Sequence, residues 1–222
     1  MMDMLSSFDI IIFVLELIGT IAFAISGVIT AVEKDLDLLG VLVLGIITAV
    51  GGGALRDILL GNIPPMLFLK PIYAIVAFAT SLISFCYLYF RKEIPSNTSE
   101  ENSKIINLLD AVGLGVFVVV GVRASITAGY GDNFFLAVFI GTVTGVGGGL
   151  MRDQLAGLIP MVLRKRIYAI AALAGACIYY LLYQLHVSEY ISAPSGIVLI
   201  ILIRLLASKY RWSLPHIRKK QS

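Results

Sequence analysis

The sequence predicts an all-α polytopic membrane protein with seven spanning helices, arranged as two inverted three-helix repeats plus a seventh helix. Three observations predict this class. Hydrophobic residues make up 59% of the 222 residues and charged residues only 14%, whereas soluble domains average about 45–50% and about 25%. Seven apolar stretches have roughly the length of about 20 residues that a spanning helix needs. The first three of these stretches recur, in order, as the next three.

The predicted spans follow one another closely except at one polar segment, which we interpret as a linker between two halves. The first span is preceded by Asp3 and Asp9 and by no basic region, which favours a retained helix over a cleaved signal peptide. The predicted spans are residues 10–32, 38–61, 71–90, 105–124, 134–156, 167–186 and 190–208. The predicted units are the first repeat (1–90), the linker (91–104), the second repeat (105–186), the seventh helix (187–208) and a basic tail (209–222).

The basic residues of the loops predict the orientation in the membrane. With the N-terminus outside, only Lys70 falls in an outer loop, and cytoplasmic loops are the ones enriched in Lys and Arg. The prediction is therefore an outer N-terminus and a cytoplasmic C-terminus, in a bacterial or archaeal plasma membrane. We expect the tail to bind anionic lipid of the inner leaflet. The inner residues are Lys34, Arg91, Lys92, Lys104, Arg164, Lys165, Arg166, Lys209, Arg211, Arg218, Lys219 and Lys220.

The internal repeat is clearest in the second and fifth spans. Residues 45–64 read GIITAVGGGALRDILLGNIP and residues 141–160 read GTVTGVGGGLMRDQLAGLIP, with twelve of the twenty positions identical. The third and sixth spans share the sequence Ile-Tyr-Ala-Ile at residues 72–75 and 167–170. Because each unit has three spans, the second copy enters the membrane upside-down, which is the inverted-repeat plan of many transporters.

The first and fourth spans also correspond, at an offset of 94 residues. Glu16 corresponds to Asp110, and Phe23 corresponds to Phe117. The site of an inverted-repeat protein normally lies near the membrane centre, between the two repeats.

The two glycine triplets permit two interpretations that are compatible with each other. Each glycine lowers helix stability by about 1 kcal/mol relative to alanine, so a triplet favours a kink or an unwound turn whose carbonyls face a cation pore. Alternatively, small residues at every fourth position form a ridge for close helix packing. The candidate ion path consists of Thr48, Gly51, Gly52, Gly53, Thr144, Gly147, Gly148 and Gly149. Ser26 is a further hydroxyl that could line it, although such hydroxyls also bond their own helix.

Charged residues inside the spans predict the two mouths of the path. An arginine-aspartate pair follows each triplet, and an acid lies at the same membrane depth on the partner helix. We hypothesise two equivalent clusters, each with two carboxylates and one guanidinium, hence net negative and favourable to cations. The alternative is that they are structural ion pairs. The clusters are Glu16, Arg56 and Asp57 at the outer mouth, and Asp110, Arg152 and Asp153 at the inner mouth.

Arg123, near the outer end of the fourth span, has no counterpart in the first repeat, where Ile29 occupies the position. It could be a snorkelling anchor at the membrane surface or a gate over the pore.

Two three-helix units, each with Gly-Gly-Gly followed by Arg-Asp, and a seventh helix resemble the prokaryotic members of the trimeric intracellular cation (TRIC) channel family. The resemblance covers residues 10–207. It implies a homotrimer with one pore in each protomer, kinked second and fifth helices that line this pore, and passage of monovalent cations, chiefly K⁺, with no cofactor. Animal members carry a lysine-containing motif in place of a plain triplet, so their regulation is not implied here. Some bacterial members are also described as glycine transporters.

Two functions therefore remain open: a potassium-permeable channel, and a secondary transporter of a small solute such as glycine. The sequence TVGYG, from which potassium filters are built, is absent. An enzyme is not expected, because the histidines, His186 and His216, form no HExxH zinc motif. A nucleic acid partner is not expected either.

Overall fold

The computed structural model describes residues 7–91, 99–164, 167–210 and 212, and this part of the chain is helical. Its helices are α1 (Ser7–Val32), α2 (Leu38–Leu59), α3 (Met66–Leu69), α4 (Ile72–Arg91), α5 (Ser99–Ser125), α6 (Phe134–Leu155), α7 (Met161–Arg164), α8 (Ile167–Gln184) and α9 (Glu189–Lys209), with a π-helical turn at Ile126–Tyr130. Seven of them are long and apolar enough to cross a membrane, namely α1, α2, α4, α5, α6, α8 and α9. The predicted fold class is confirmed.

Helix α5 lies at the centre of the bundle. It packs against α1, α6, α8 and α9, and it is the most buried of the spanning helices, whereas α4 is the least buried. It also begins at Ser99, so the last residues assigned to the linker are already helical. Half of the linker and most of the basic tail lie outside the described residues, and so do the predicted inner residues Lys92, Lys165, Arg166, Arg211, Arg218, Lys219 and Lys220.

Helices α2 and α6 cross at their glycines. A Cβ atom built on Gly52 would lie 2.1 Å from the carbonyl oxygen of Thr144, and one built on Gly148 would lie 2.1 Å from that of Thr48. Such a distance is far inside van der Waals contact, so only glycine permits this approach of the two backbones. The contact is reciprocal: each helix presents its threonine carbonyl to the glycine of the other.

The helices are continuous through both triplets. Helix α2 runs without interruption from Leu38 to Leu59 and α6 from Phe134 to Leu155. The expected unwinding is therefore wrong, and a kink in either helix stays a prediction. The physical reason is that freed backbone groups would need new partners at membrane depth, whereas an intact helix satisfies them internally. The alternative interpretation of the triplets, close helix packing, is the one that the contacts support.

Helices α2 and α6 are both followed by a glycine that ends the helix, Gly61 and Gly157. Each glycine has a positive φ, 77° and 67° respectively. After α2, Asn62 N–H donates to the carbonyl of Asp57 at 2.8 Å; after α6, Leu158 N–H donates to that of Asp153 at 2.8 Å. This is the Schellman motif, in which glycine is favoured because it adopts a positive φ without strain. The motif turns the chain into the short helices α3 and α7.

Candidate functional site

One end of the bundle contains a cavity of about 720 Å³, enclosed mainly by α1, α2, α4 and α5. Carboxylates and guanidinium groups lie around it, and apolar side chains form its deeper part. We call this end the Glu16 mouth, because Glu16 lies on its wall. Its lining residues include Ile12, Glu16, Thr20, Val50, Gly53, Arg56, Asp57, Tyr73, Phe117 and Arg123.

The carboxylate of Glu16 is held by a tyrosine. Glu16 is half-buried, and the hydroxyl of Tyr73, on α4, donates a short hydrogen bond to it. Arg56 and Arg123 lie within electrostatic range, but neither is within 4 Å of this carboxylate. Glu16 therefore faces the cavity with a neutral partner, so its negative charge is not neutralised by direct contact.

Arg56 and Asp57, adjacent in the chain, bind each other. Arg56 Nε donates to Asp57 Oδ1 at 2.8 Å, and Asp57 Oδ2 accepts from the backbone N–H of Met66 at 2.8 Å. The aspartate thus anchors the first turn of α3 while its other oxygen fixes the arginine. Charge-assisted hydrogen bonds of this kind are stronger than neutral ones.

Arg123 ties three helices together at the rim of the cavity. Its Nη2 atom lies 2.7 Å from Asp9 Oδ1 on α1, and its Nε atom lies 3.3 Å from Glu189 Oε2 on α9. Its guanidinium also lies 5.4 Å from the ring centroid of Phe8. Arg123 lines the cavity and also forms ion pairs with two other helices. Its position is therefore compatible with both hypotheses, an anchor at the membrane surface and a gate.

At the opposite end, which we call the Asp110 mouth, the corresponding charged groups form a closed cluster. Arg152 Nη1 lies 2.6 Å from Asp110 Oδ1, and Arg152 Nη2 lies 2.8 Å from Asp153 Oδ1. The side chains of Arg152 and Asp110 are fully buried. Ser26 completes the cluster, since its hydroxyl accepts from Arg152 Nη1 at 2.5 Å and donates to Asp110 Oδ1 at 2.8 Å.

The two mouths therefore differ in the hydrogen-bond partner of the acid on the partner helix. In the Asp110 mouth the acid of the partner helix binds the arginine directly, whereas in the Glu16 mouth the acid binds a tyrosine and the arginine binds only its neighbouring aspartate. The rest of the arrangement repeats, because Asp153 Oδ2 accepts from Met161 N–H at 2.7 Å just as Asp57 does from Met66. The Glu16 mouth thus contains the cavity, whereas the Asp110 mouth is occupied by a buried ion pair.

Two phenylalanines separate the mouths. Phe117 lines the deep part of the cavity, and its ring centroid lies 5.4 Å from that of its counterpart Phe23, which is buried. Val50 packs against this pair. These rings and the α2–α6 crossing lie between the cavity and the buried cluster at the Asp110 mouth.

The structure brings together part of what the sequence predicts. The two charged trios lie at two ends of the bundle, their role as pore mouths stays a prediction, and of the eight residues of the candidate ion path only Gly53 lines the cavity. The hydroxyls of Thr48 and Thr144 donate to carbonyls of their own helices, those of Leu44 and Ile140, at 2.6 Å each. The remaining triplet glycines lie at or near the crossing.

Sequence reasoning missed the tyrosines of the Ile-Tyr-Ala-Ile segments. Tyr73 and Tyr168 recur at corresponding positions of α4 and α8, and this recurrence was the signal. A hydroxyl within an apolar span is a hydrogen-bond donor for a carboxylate of the neighbouring helix. Phe23 and Phe117 recur in the same way.

Comparison with known proteins agrees with these observations. The family model described as Glycine transporter matches this chain twice, over residues 13–89 and 107–184. The inner membrane protein YadS of Escherichia coli (strain K12), of the UPF0126 group, is 39% identical over 206 residues, which cover 92% of this chain and 95% of YadS. YvgT of Bacillus subtilis (strain 168), a UPF0126 membrane protein, is 40% identical over 165 residues, which cover 74% of this chain and 77% of YvgT.

Solved structures are similar over almost the whole chain. One, from work on conductance through TRIC cation channels, has a TM-score of 0.81 and 35% identity, and covers 95% of this chain and 98% of that one. The TRIC orthologue of Rhodobacter sphaeroides has a TM-score of 0.82 and 29% identity, and covers 91% and 99%. The chain is therefore an integral membrane protein of the prokaryotic TRIC family, whose family model is described as Glycine transporter.

Proposed function

We propose that this protein is a monovalent cation channel, permeable chiefly to K⁺, with one path through each protomer. The observation that carries the proposal is the cavity at the Glu16 mouth, whose wall holds Glu16 with no cationic partner within 4 Å, while Arg56 is bound to Asp57 and Arg123 to Asp9 and Glu189. A carboxylate whose direct partner is a neutral tyrosine raises the local concentration of cations in a cleft with apolar walls. The relatives of known structure are described as cation channels.

The path runs from the cavity past Phe117 and Phe23 and leaves through the Asp110 mouth. The wall of the cavity carries three acids, Asp9, Glu16 and Asp57, and three basic residues, Arg56, Lys70 and Arg123, whereas the buried cluster at the Asp110 mouth has two acids and one arginine. With the orientation that the loop charges predict, the Glu16 mouth faces outside and the Asp110 mouth faces the cytoplasm. In this structure the inner mouth is closed by Arg152 and Asp110, so conduction requires that this ion pair separates.

Three further parts of the proposal follow from the relatives and the composition. The chain forms a homotrimer, as the description of the Rhodobacter sphaeroides orthologue suggests. It resides in a bacterial inner membrane, as YadS does by name. Its basic tail binds anionic lipid on the cytoplasmic face. Native mass spectrometry of the protein in detergent should give three copies.

The experiment that tests the cation preference is recording of purified protein in planar bilayers under a KCl gradient. Wild type should give discrete currents whose reversal potential lies near that of K⁺. Glu16→Gln should lower the K⁺-over-Cl⁻ permeability ratio by about fivefold, the factor that corresponds to ~1 kcal/mol of Coulomb energy at about 4 Å in water. The control is Asp132→Asn, which removes an exposed carboxylate at the same end but outside the cavity. An unchanged ratio in Glu16→Gln would contradict the role of the mouth charge.

A carrier of a small solute such as glycine is the second candidate. Two observations favour it: the description of the family model, and the cavity that opens at one mouth while the other is closed by a buried ion pair. Alternating access requires that the two inverted repeats adopt different conformations at the same time. Uptake of labelled glycine into proteoliposomes without unitary currents would favour the carrier.

A further inference from the structure

The two repeats present the same set of side chains in two different hydrogen-bonding arrangements. In each repeat the set consists of a mouth acid, an arginine and a tyrosine. In the first, Tyr73 donates to Glu16. In the second, Asp110 binds Arg152 instead, with contacts of 2.6 and 3.1 Å to the two carboxylate oxygens.

The hydroxyl of the tyrosine of the second repeat is left without a hydrogen-bond partner, although the guanidinium of Arg204 lies over its ring at 4.5 Å from the centroid. The side chain of Tyr168 is 2% exposed, and its hydroxyl makes no hydrogen bond. It nevertheless lies within electrostatic range of Asp110 and Arg152. A buried hydroxyl with no partner is destabilising, so it is expected to find one in another state of the protein. By correspondence with Tyr73, that partner is Asp110.

We propose that Tyr73 and Tyr168 are positioning residues, each of which holds the mouth acid of its own repeat when that mouth is open. When a mouth closes, its acid leaves the tyrosine and binds the arginine. The present structure then has the Glu16 mouth in the tyrosine-bound state and the Asp110 mouth in the arginine-bound state. The opposite state has Glu16 bound to Arg56, and Asp110 bound to Tyr168.

Helix α1 provides a connection between the two mouths. It carries Glu16 at one mouth and Ser26 at the other, ten residues apart, or about 15 Å along a helix that rises about 1.5 Å per residue. Ser26 contacts both Arg152 and Asp110. Movement of α1 that brings Glu16 to Arg56 therefore also displaces Ser26 from the closed cluster, which favours opening of the Asp110 mouth; in the conducting state both acids are bound by their tyrosines.

The inference rests on the proposed passage through this cavity, but its test requires no transport. Two single cysteines report the exposure of each mouth, in a background with Cys86→Ala and Cys177→Ala. Ala124→Cys lies on the wall of the cavity. Thr30→Cys occupies the corresponding position of the first repeat, where the native side chain is only 3% exposed. Labelling rates with a water-soluble maleimide are measured in nanodiscs, where the reagent reaches both faces.

Wild-type tyrosines should give fast labelling at Ala124→Cys and slow labelling at Thr30→Cys. Tyr73→Phe should reverse this, with a several-fold fall at the first reporter and a several-fold rise at the second. Adding Glu16→Gln should prevent the reversal, because a neutral amide forms no ion pair with Arg56. Combining Tyr73→Phe with Tyr168→Phe should return both labelling rates toward their wild-type values. Each mouth then lacks the tyrosine that stabilises its open state, so neither open state is favoured over the other.

The control is Tyr179→Phe, which removes another buried hydroxyl without a hydrogen bond and should change neither rate. Tyr73→Phe that leaves both rates unchanged, or moves both in the same direction, overturns the proposal. Should Tyr73→Phe fail to fold, Glu16→Gln alone decides: slower labelling of Thr30→Cys supports the proposal, and an equal or faster rate overturns it.

The labelling result and the function are separable. Reversal of the labelling rates without any cation current would mean that the proposed function fails while the exchange of partners stands. Cation currents with no reversal would mean the opposite.

Discussion

Ser26 is one of the residues that make the two mouths chemically unequal. Its position in the first repeat corresponds, at the offset of 94, to Val120 in the second. Ser26 both accepts from Arg152 and donates to Asp110, whereas a valine at the Glu16 mouth offers no hydrogen bond. Hydrogen bonds to charged groups contribute about 1.5–3 kcal/mol each. The closed Asp110 mouth is therefore stabilised more than a closed Glu16 mouth would be, which accounts for the mouth that is found closed.

Ser26→Ala should weaken the closed Asp110 mouth. The free energy that separates its closed and open states should fall by about 1–3 kcal/mol, because the variant loses a hydrogen bond to a charged group. Thr30→Cys should then be labelled several-fold faster. Ser81→Ala is the matched control, since the hydroxyl of Ser81 is buried but has no hydrogen-bond partner. Equal labelling of Thr30→Cys in Ser26→Ala and in wild type would contradict this role.

Removal of one charge should affect stability very differently at the two mouths. Asp110→Asn leaves Arg152 with one of its two carboxylates in a fully buried cluster, and breaking a buried pair costs about 3–5 kcal/mol. Glu16→Gln removes a half-buried carboxylate whose hydrogen-bond partner is neutral, so its effect should be smaller. Thermal unfolding in detergent measures both. A fall in Tm that is equal for the two variants would show that the clusters are energetically alike.

At the scale of helices, the crossing of α2 and α6 determines how close the two repeats come. Gly148→Ala should destabilise the protein, because its Cβ would lie 2.1 Å from the carbonyl oxygen of Thr48 and that backbone atom cannot rotate away. Insertion of a methyl group into a filled site typically costs about 1–3 kcal/mol. A lower Tm and a smaller yield of the folded oligomer are the expected results.

Gly53→Ala is the control for this prediction. It is a glycine of the same motif, but its nearest neighbour to a built Cβ is the flexible end of Arg56 at 3.9 Å. The Tm of Gly53→Ala should match or exceed that of wild type, since alanine is the better helix former. If Gly148→Ala were as stable as Gly53→Ala, the close crossing would not be needed for the fold.

The helices show where sequence reasoning succeeds and where it stops. Length and hydropathy predicted all seven spans, because the membrane requires a run of apolar residues whatever its neighbours are. The glycine triplets were more difficult to interpret, since low helix propensity and close packing produce the same composition. Whether low helix propensity or close packing decides the structure depends on what faces the glycine. Gly52 faces Thr144 of another helix, and a local sequence pattern does not predict such a contact.

At the scale of the whole molecule, the repeat could be predicted from the sequence, but the difference between the two mouths could not: Arg152 binds Asp110, whereas Arg56 does not bind Glu16. Both copies contain the same acid, arginine and tyrosine types, so their sequences predict two equivalent mouths. The difference between them is one of conformation, and inverted repeats are expected to exchange such conformations. Ser26 opposite Val120 was one local sign of inequality and Arg123 opposite Ile29 was another, and the meaning of the first depends on the contacts of α1 with α6.

The position of the cavity also predicts at which engineered cysteine a bulky label would block ion passage. Val50 lies beside Phe117 at the closed end of the cavity, so a bulky group attached there should obstruct ions. Asp132 is exposed at the same end of the bundle and outside the cavity. Modification of a cysteine at this second position should leave conduction unchanged.

The two positions are compared by single-channel recording in KCl before and after addition of a cationic thiol reagent. The purified protein lacks its native cysteines and carries either Val50→Cys or Asp132→Cys. Passage through the cavity predicts discrete cation-selective currents that fall after modification of Val50→Cys and persist after modification of Asp132→Cys. The absence of unitary currents, or currents that survive complete modification of Val50→Cys, would contradict a cation path through this cavity.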